Sequence, residues 1–117
     1  MSHFSTLRTK LDDVEMLKAS LQDLGINVKT YAEVRGAGCQ RVQADVVAVL
    51  EGDYDIGWAR NERGSLSIVA DLWGVSAGHD TSGLISSINQ KYAVNRALAD
   101  VKRPGLQNAN VKVAQQW

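Results

Sequence analysis

The stretch YDIGWARNERGSLSIVADLW, residues 54–73, decides the fold because it carries the clearest pattern in the chain. Apolar residues alternate with other residues on both sides of a turn-like segment, residues 61–64, and this period of two predicts strands at 54–60 and 65–73. A connection this short forces the two strands to pair antiparallel. The stretch is therefore predicted to be a β-hairpin at the centre of a sheet.

The same period of two occurs on both sides of this hairpin. It predicts strands at 26–34 and 42–50, separated by a glycine-containing loop at 35–40. Weaker alternation predicts a first strand within 2–9 and a last strand at 108–117. The four central strands follow one another closely, which is typical of an antiparallel meander.

Two segments show the helical period instead. The first helix is predicted at 12–24, with Asp12 as its N-cap and Gly25 in the left-handed position that ends it. The second follows a loop at 74–83, has its N-cap within 80–82, and is stopped by the only proline. Their apolar stripes comprise Val14, Leu17, Leu21 and Leu24 in the first helix, and Leu84, Ile85, Ile88 and Tyr92 in the second.

The predicted order of elements is β-α-β-β-β-β-α-β, and it defines an α+β chain. Two helices can cover one face of a mainly antiparallel sheet, which predicts a two-layer sandwich in an elaborated ferredoxin-like arrangement. The order of strands in the sheet is left open. No repeat or linker divides the chain, so residues 1–117 are predicted to form a single domain.

Composition limits the classes of function. Hydrophobic residues make up 44% and charged residues 22% of the chain, which is typical of a folded soluble protein. Thirteen basic and thirteen acidic residues cancel, and this balance disfavours broad binding to nucleic acid or to anionic membrane. No signal-like or membrane-spanning run is present in the sequence. A cytoplasmic protein is expected.

Several fragments resemble one known family when taken in order. They are MSHFSTLRTKL (1–11), ADVV (44–47), YDIGWARNERGSLSIVADLWGV (54–75), INQKYAV (88–94) and VKVAQQW (111–117). Together they resemble the hypothetical chloroplast open reading frame thirty-five family, small proteins of algal plastids, cyanobacteria and some phages. The resemblance implies a photosynthetic-lineage setting and brings no catalytic motif. It also implies the chloroplast stroma for a plastid-encoded protein and the host cytoplasm for a phage-encoded one. Between residues 103 and 111 the chain is shorter than members of that family, which is consistent with a diverged or phage-borne member.

The hairpin and the segment after it supply the candidate binding residues. Alternation places Asp55 and Asp71 opposite the apolar face, toward solvent, where they are available to a ligand. A catalytic pair would need one carboxylate with a raised pKa, and burial is what raises it, so no catalytic residue is assigned. The candidate binding residues are Asp55, Trp58, Arg60, Asp71, Trp73 and His79.

Metal and cofactor chemistry is disfavoured by what the sequence lacks. A metal site could recruit His3, His79 and an aspartate, but of these only His79 and Asp80 are neighbours in sequence, and zinc takes three or four ligands. The glycines at 35–40 lack the ending of a phosphate-binding P-loop and are followed by a strand. Cys39 is the only cysteine, with no positioned base. No metal and no cofactor are therefore predicted.

A non-enzymatic protein-binding or assembly module is the leading functional hypothesis, acting through a sheet edge or face on a protein partner or on a second copy. One alternative is a small enzyme or ligand-binding protein with a polar site around Asp55, Asp71 and His79. Another is an RNA-binding domain that uses Tyr54, Trp58 and Arg63. The terminal residue, Trp117, is predicted to anchor the last strand or to contact a partner.

Overall fold

The computed structural model describes residues 3–102, and the predicted last strand and Trp117 lie outside this range. Five strands and three helices follow in the order β1 (Ser5–Arg8), α1 (Val14–Asp23), β2 (Asn27–Arg35), β3 (Arg41–Val49), β4 (Ile56–Arg60), β5 (Leu66–Ala70), α2 (Leu72–Gly78) and α3 (Thr81–Val101). The predicted α+β two-layer class is confirmed. The strand order, which the sequence left open, is β1-β5-β4-β3-β2, and every pair is antiparallel. The chain therefore resembles a ferredoxin-like fold in having helices packed on an antiparallel sheet, and not in its strand order.

The central hairpin forms as predicted. Trp58 of β4 pairs with Ile68 of β5, and the turn between the strands closes through a hydrogen bond of 2.8 Å from Asn61 N to Ser65 O. Gly64 lies in this turn at φ 83°, a conformation that glycine adopts without steric cost. The hairpin occupies the middle of the sheet, flanked by β3 and by β1.

The first helix begins one residue later than predicted. Asp13, and not Asp12, is its N-cap, because the Asp13 side chain accepts a hydrogen bond of 3.1 Å from Met16 N. Gly25 ends the helix at φ 76°, as predicted. The Tyr92 hydroxyl of α3 accepts a hydrogen bond from Asp13 N and so ties the start of α1 to the second long helix.

The segment predicted as the end of a strand and a loop is a short helix instead. β5 stops at Ala70, and Asp71 caps α2 by accepting a hydrogen bond of 3.1 Å from Gly74 N. Leu72 and Val75 are spaced so that both pack on the core from a helix. The prediction of a strand to residue 73 was wrong because Leu72 continues the period of two while also fitting the helical period.

The main core lies between the helices and one face of the sheet. Trp58 and Ile68 point into it from the central hairpin, and Leu17 and Ile88 point into it from α1 and α3. A second, smaller core lies on the opposite face. It contains Val34, Ala44 and Val47, with Phe4, Ala32 and Val49 packed against them.

The second core exists because the distal part of the β2–β3 hairpin, residues 32–44 and here called the arm, folds over the sheet. Ala44 would share the face of Val46 in an undistorted strand, yet it packs with Val47 on the other face. The bend falls at Tyr31, the only non-glycine residue of positive φ (50°) in the described range. Beside it, the Asp45 carboxylate accepts a hydrogen bond from Arg60 N. The arm thus covers part of the second face.

Candidate functional site

Asp55 holds the arm through an ion pair with Arg35. The Arg35 Nε and Nη2 atoms donate to the two oxygens of Asp55 at 2.9 and 2.8 Å. The backbone N–H groups of Arg35 and Leu50 donate to the same carboxylate at 3.1 and 3.3 Å. Arg35 Nη2 also donates to Leu50 O, so the guanidinium joins the end of β2 to the end of β3. This fork geometry fixes both position and orientation.

The environment of Asp55 favours its charged form. Burial raises the pKa of this carboxyl, but the side-chain and backbone hydrogen bonds from Arg35, the Leu50 N–H and the Arg35 charge outweigh burial, so the pKa lies below its ordinary value. The same hydrogen bond raises the pKa of Arg35 against the effect of burial. A general acid needs the opposite shift, and Asp55 is therefore suited to a permanent ion pair.

Asp71 contacts the arm from the neighbouring strand. Its Oδ1 atom caps α2, and its Oδ2 atom accepts a hydrogen bond of 3.2 Å from Ala37 N in the loop at the tip of the arm. At the neighbouring residue, Gly36, the ring of Phe4 packs against the backbone. A Cβ added at Gly36 would lie 2.6 Å from the Phe4 Cζ atom. The Asp71 carboxylate therefore has two roles: it holds the tip of the arm and it caps α2.

The prediction that Asp55 and Asp71 face solvent was wrong. They are 2% and 0% exposed. Alternation assigned them to the side of the sheet opposite the main core, and that side is where the arm lies. His79 is nearby in the fold, since its Nε2 atom is 2.9 Å from Glu51 O in the β3–β4 loop. The structure thus brings these three predicted residues to one end of the sheet and gives each a hydrogen-bond partner.

The other predicted site residues lie elsewhere. Trp58 is buried in the main core, and its indole N–H has no hydrogen-bond partner within residues 3–102. Arg60 lies at the far end of β4 and donates to the backbone oxygens of Gly64 and Asp12. Trp73 is 72% exposed on the first turn of α2. These three side chains do not join the aspartates in one pocket.

Metal-ligating and nucleophilic groups do not converge in the described part of the chain. Within residues 3–102, no three side chains of His, Cys, Asp or Glu are grouped as a metal site would need. Cys39 is exposed in the loop at the tip of the arm. The two cations near it in sequence are engaged, since Arg35 is held by Asp55 and Arg41 donates to Gly38 O and Gln40 O. The glycine-containing segment is a loop between two strands, as predicted.

Sequence reasoning missed an apolar groove beside the free edge of β1. Among the described strands, β1 pairs only with β5, so none of them occupies its other edge. Leu7 is 43% exposed at this edge. The groove has a volume of about 390 Å³, with Leu7, Leu11, Ile68 and Ile85 as its apolar walls and Arg8, Thr9, Lys10 and Asn89 as its polar rim. An exposed leucine in a short alternating first strand was the only signal available in the sequence.

Comparison with known proteins agrees with the resemblance drawn from the sequence. Residues 20–116 match the family described as "Protein of unknown function (DUF1257)". The chain is 34% identical over 116 residues to "Uncharacterized protein ycf35" of Guillardia theta, an alignment that covers 97% of this chain and 88% of the relative. The chain belongs to this family, the hypothetical chloroplast open reading frame thirty-five family. No solved structure matches it.

Residues 3–102 form three helices. Of α1, α2 and α3, none combines the length and the apolar character that a bilayer span requires.

Proposed function

We propose that this protein is a binding module that holds an extended segment of a partner protein against the free edge of β1. The observation that carries this proposal is the apolar groove that runs beside that edge. A partner strand would extend the sheet through backbone hydrogen bonds, and its alternate side chains would enter the groove. Because β1 has only four residues, the groove must supply much of the affinity.

The charges at the rim indicate the chemistry of the partner. Arg8 and Lys10 line the groove, and no acidic side chain of residues 3–102 does. An extended segment with alternating apolar residues and an acidic residue beside them would complement both the walls and the rim. The resemblance to plastid and cyanobacterial proteins implies that such a partner lies in the cytoplasm or in the plastid stroma.

The opposite edge of the sheet fits this role less well. β2 exposes Lys29, Tyr31 and Glu33, and it bends at Tyr31. Charged side chains and a bend are devices by which natural sheets prevent a further strand from adding to an edge. β1 is therefore the edge that remains available for a partner.

Selection of random peptides displayed against the full chain tests the proposal. We expect the selected peptides to contain alternating apolar residues, and their affinity to fall about tenfold or more in Leu7→Lys, because the lysine places a charge in the groove. Leu98→Lys is the matched control, since Leu98 is 37% exposed on α3 and outside the groove. Binding that Leu7→Lys leaves unchanged would contradict the proposal.

Light scattering of the full chain separates a foreign partner from a second copy. A monomer that binds the selected peptides supports the proposal as stated. A dimer that Leu7→Lys dissociates and Leu98→Lys does not would assign the same edge to self-association instead.

A further inference from the structure

The arm leaves part of the second face of the sheet uncovered, and arginines surround this part. Arg8 of β1 pairs with Ser67 of β5, which pairs with Ala59 of β4, so these three residues lie side by side across the sheet. A cavity of about 460 Å³ lies at this part of the sheet, and it is lined by Thr6, Arg8, Arg60, Asn61, Glu62, Arg63 and Ser67.

The charges in this cavity are unbalanced. Among the residues that the structure describes, three arginines and one carboxylate, that of Glu62, line it. Arg60 is already bonded to Gly64 O and Asp12 O, which fixes its position. The side chains of Arg8 and Arg63 form no hydrogen bond or ion pair with any residue between 3 and 102. Two arginines are therefore free to bind an anion in a bidentate manner.

One uncharged group of the cavity, the Ser67 hydroxyl, keeps a proton to donate. Asn61 Nδ2 donates to Ser67 Oγ at 2.9 Å, so Ser67 Oγ acts as an acceptor there and its own proton is left to donate elsewhere. Ser67 is only 4% exposed. Asn61 is itself fully engaged, because its amide protons bond to Ser65 Oγ and Ser67 Oγ and its amide oxygen accepts from Arg63 N and Ser65 N. The lining therefore offers guanidinium groups and one hydroxyl proton to a ligand that supplies acceptors.

We propose that this cavity is a binding site for a small organic phosphate. A phosphate group carries the negative charge and the several acceptor oxygens that free arginines and a buried hydroxyl would bind. The volume exceeds what an inorganic phosphate would fill and suits a phosphorylated metabolite. This inference does not rest on the proposed function, because the cavity opens on the second face and Leu7 does not line it. Arg8 lines both the cavity and the β1 groove, whereas Arg63 lines the cavity and not the groove, so Arg63→Gln separates the two sites.

Titration of the full chain with inorganic phosphate and with pyrophosphate at constant ionic strength tests the site, followed by NMR of the Ser67 amide and the arginine Nε groups. We expect saturable shifts, with pyrophosphate binding more tightly, and affinity about tenfold weaker in Arg8→Gln and in Arg63→Gln. Arg41→Gln removes the same charge from the arm and should leave the affinity unchanged, because Arg41 bonds to its own loop. Leu7→Lys should also bind phosphate normally.

Four results would overturn this inference. Shifts that never saturate would show only general attraction between charges. An equal loss in Arg41→Gln would mean that net charge, and not this cavity, governs binding. Equal affinity for citrate would assign the cavity to carboxylates. Tighter binding of a single-stranded RNA oligonucleotide, also weakened by Arg63→Gln, would assign the arginines to nucleic acid.

Discussion

The carboxylate of Asp55 accepts two hydrogen bonds from the guanidinium of Arg35, and the backbone N–H of Asp55 donates to Arg35 O at 3.2 Å. The two residues are thus joined by side chain and by backbone across 20 positions of sequence. This double link fastens the arm to the central hairpin. It also explains why an aspartate stands directly before β4.

Removal of the Asp55 charge should destabilise the fold. In Asp55→Asn the arginine loses its ionic partner in a largely buried setting, and we expect the free energy of unfolding to fall by about 3 kcal/mol. Urea denaturation measures the loss. Glu33→Gln removes a charge from the exposed side of the arm and should change stability by less than about 0.5 kcal/mol. Equal stability of the two variants would show that the ion pair contributes nothing to the fold.

The same ion pair makes stability depend on pH. The pKa of Asp55 in the folded chain lies below its ordinary value of 3.8, so its contribution is complete above that value and is lost as the pH falls through the folded pKa. The difference in unfolding free energy between the native chain and Asp55→Asn should therefore shrink below pH 3.8. The pKa of Asp12 is also lowered, by its hydrogen bond from Arg96, but Asp12 is present in both proteins. A difference that is constant from neutral to acid pH would refute this assignment.

Asp71 uses both carboxylate oxygens, and an amide has only one oxygen. Asp71→Asn must leave either Gly74 N or Ala37 N without its acceptor, which should cost about 1–2 kcal/mol and speed hydrogen exchange at that amide. Asp80→Asn is the matched control, because Asp80 caps α3 through one oxygen and asparagine caps equally well. If Asp80→Asn were as destabilising as Asp71→Asn, the contact with the arm would be irrelevant.

The bend at Tyr31 should reverse the usual effect of glycine in a strand. Tyr31 is exposed and has φ 50°. In this left-handed region the Cβ of alanine has a steric cost that glycine, which has no Cβ, avoids. We expect Tyr31→Gly to be more stable than Tyr31→Ala by about 1 kcal/mol in thermal or urea unfolding. At Thr30, also exposed in β2, alanine should be the more stable of the two. If the glycine and alanine variants had the same order of stability at both positions, the bend at Tyr31 would be contradicted.

The contact between the arm and β4 leaves no room for a side chain at Gly57. A Cβ there would collide with Val34 Cγ2 and would lie 3.0 Å from Ala44 Cβ. Gly57→Ala should therefore cost about 1–3 kcal/mol. The double variant with Val34→Ala should lose less than the two single changes together, since the smaller residue makes room. Simple additivity in this double-mutant cycle would mean that Val34 does not lie over Gly57.

The sequence predicted most of the framework because periodicity is a local signal. The alternation around Ile56 and Ile68 placed the hairpin correctly, and Gly25 marked the end of α1. The bend was not predictable, because tyrosine has no preference for a positive φ and only the packing of the arm holds it there. Because the bend was not predicted, the alternating pattern assigned Asp55 and Asp71 to a face of the sheet that is open to solvent.

The candidate sites were harder to predict for a related reason. The Arg8 cavity and the β1 groove depend on β1 lying beside β5, a pairing between residues more than 55 positions apart that no local pattern encodes. Neither surface follows from a motif. The aspartates were noticed because they interrupt apolar strands, and their partners, Arg35 and Ala37, lie in the segment 35–40, which the sequence predicted only as a loop.

The most direct test of the account is the nuclear Overhauser effect between the Gly57 Hα protons and the γ-methyl groups of Val34. An arm folded over the second face, and fastened by Asp55 and Asp71, predicts a strong cross-peak for this pair and another between Gly36 and the Phe4 ring. If both cross-peaks were absent and the Val34 methyl groups were accessible to a soluble paramagnetic probe, the arm would not cover the sheet, and the two aspartates would be open to ligands.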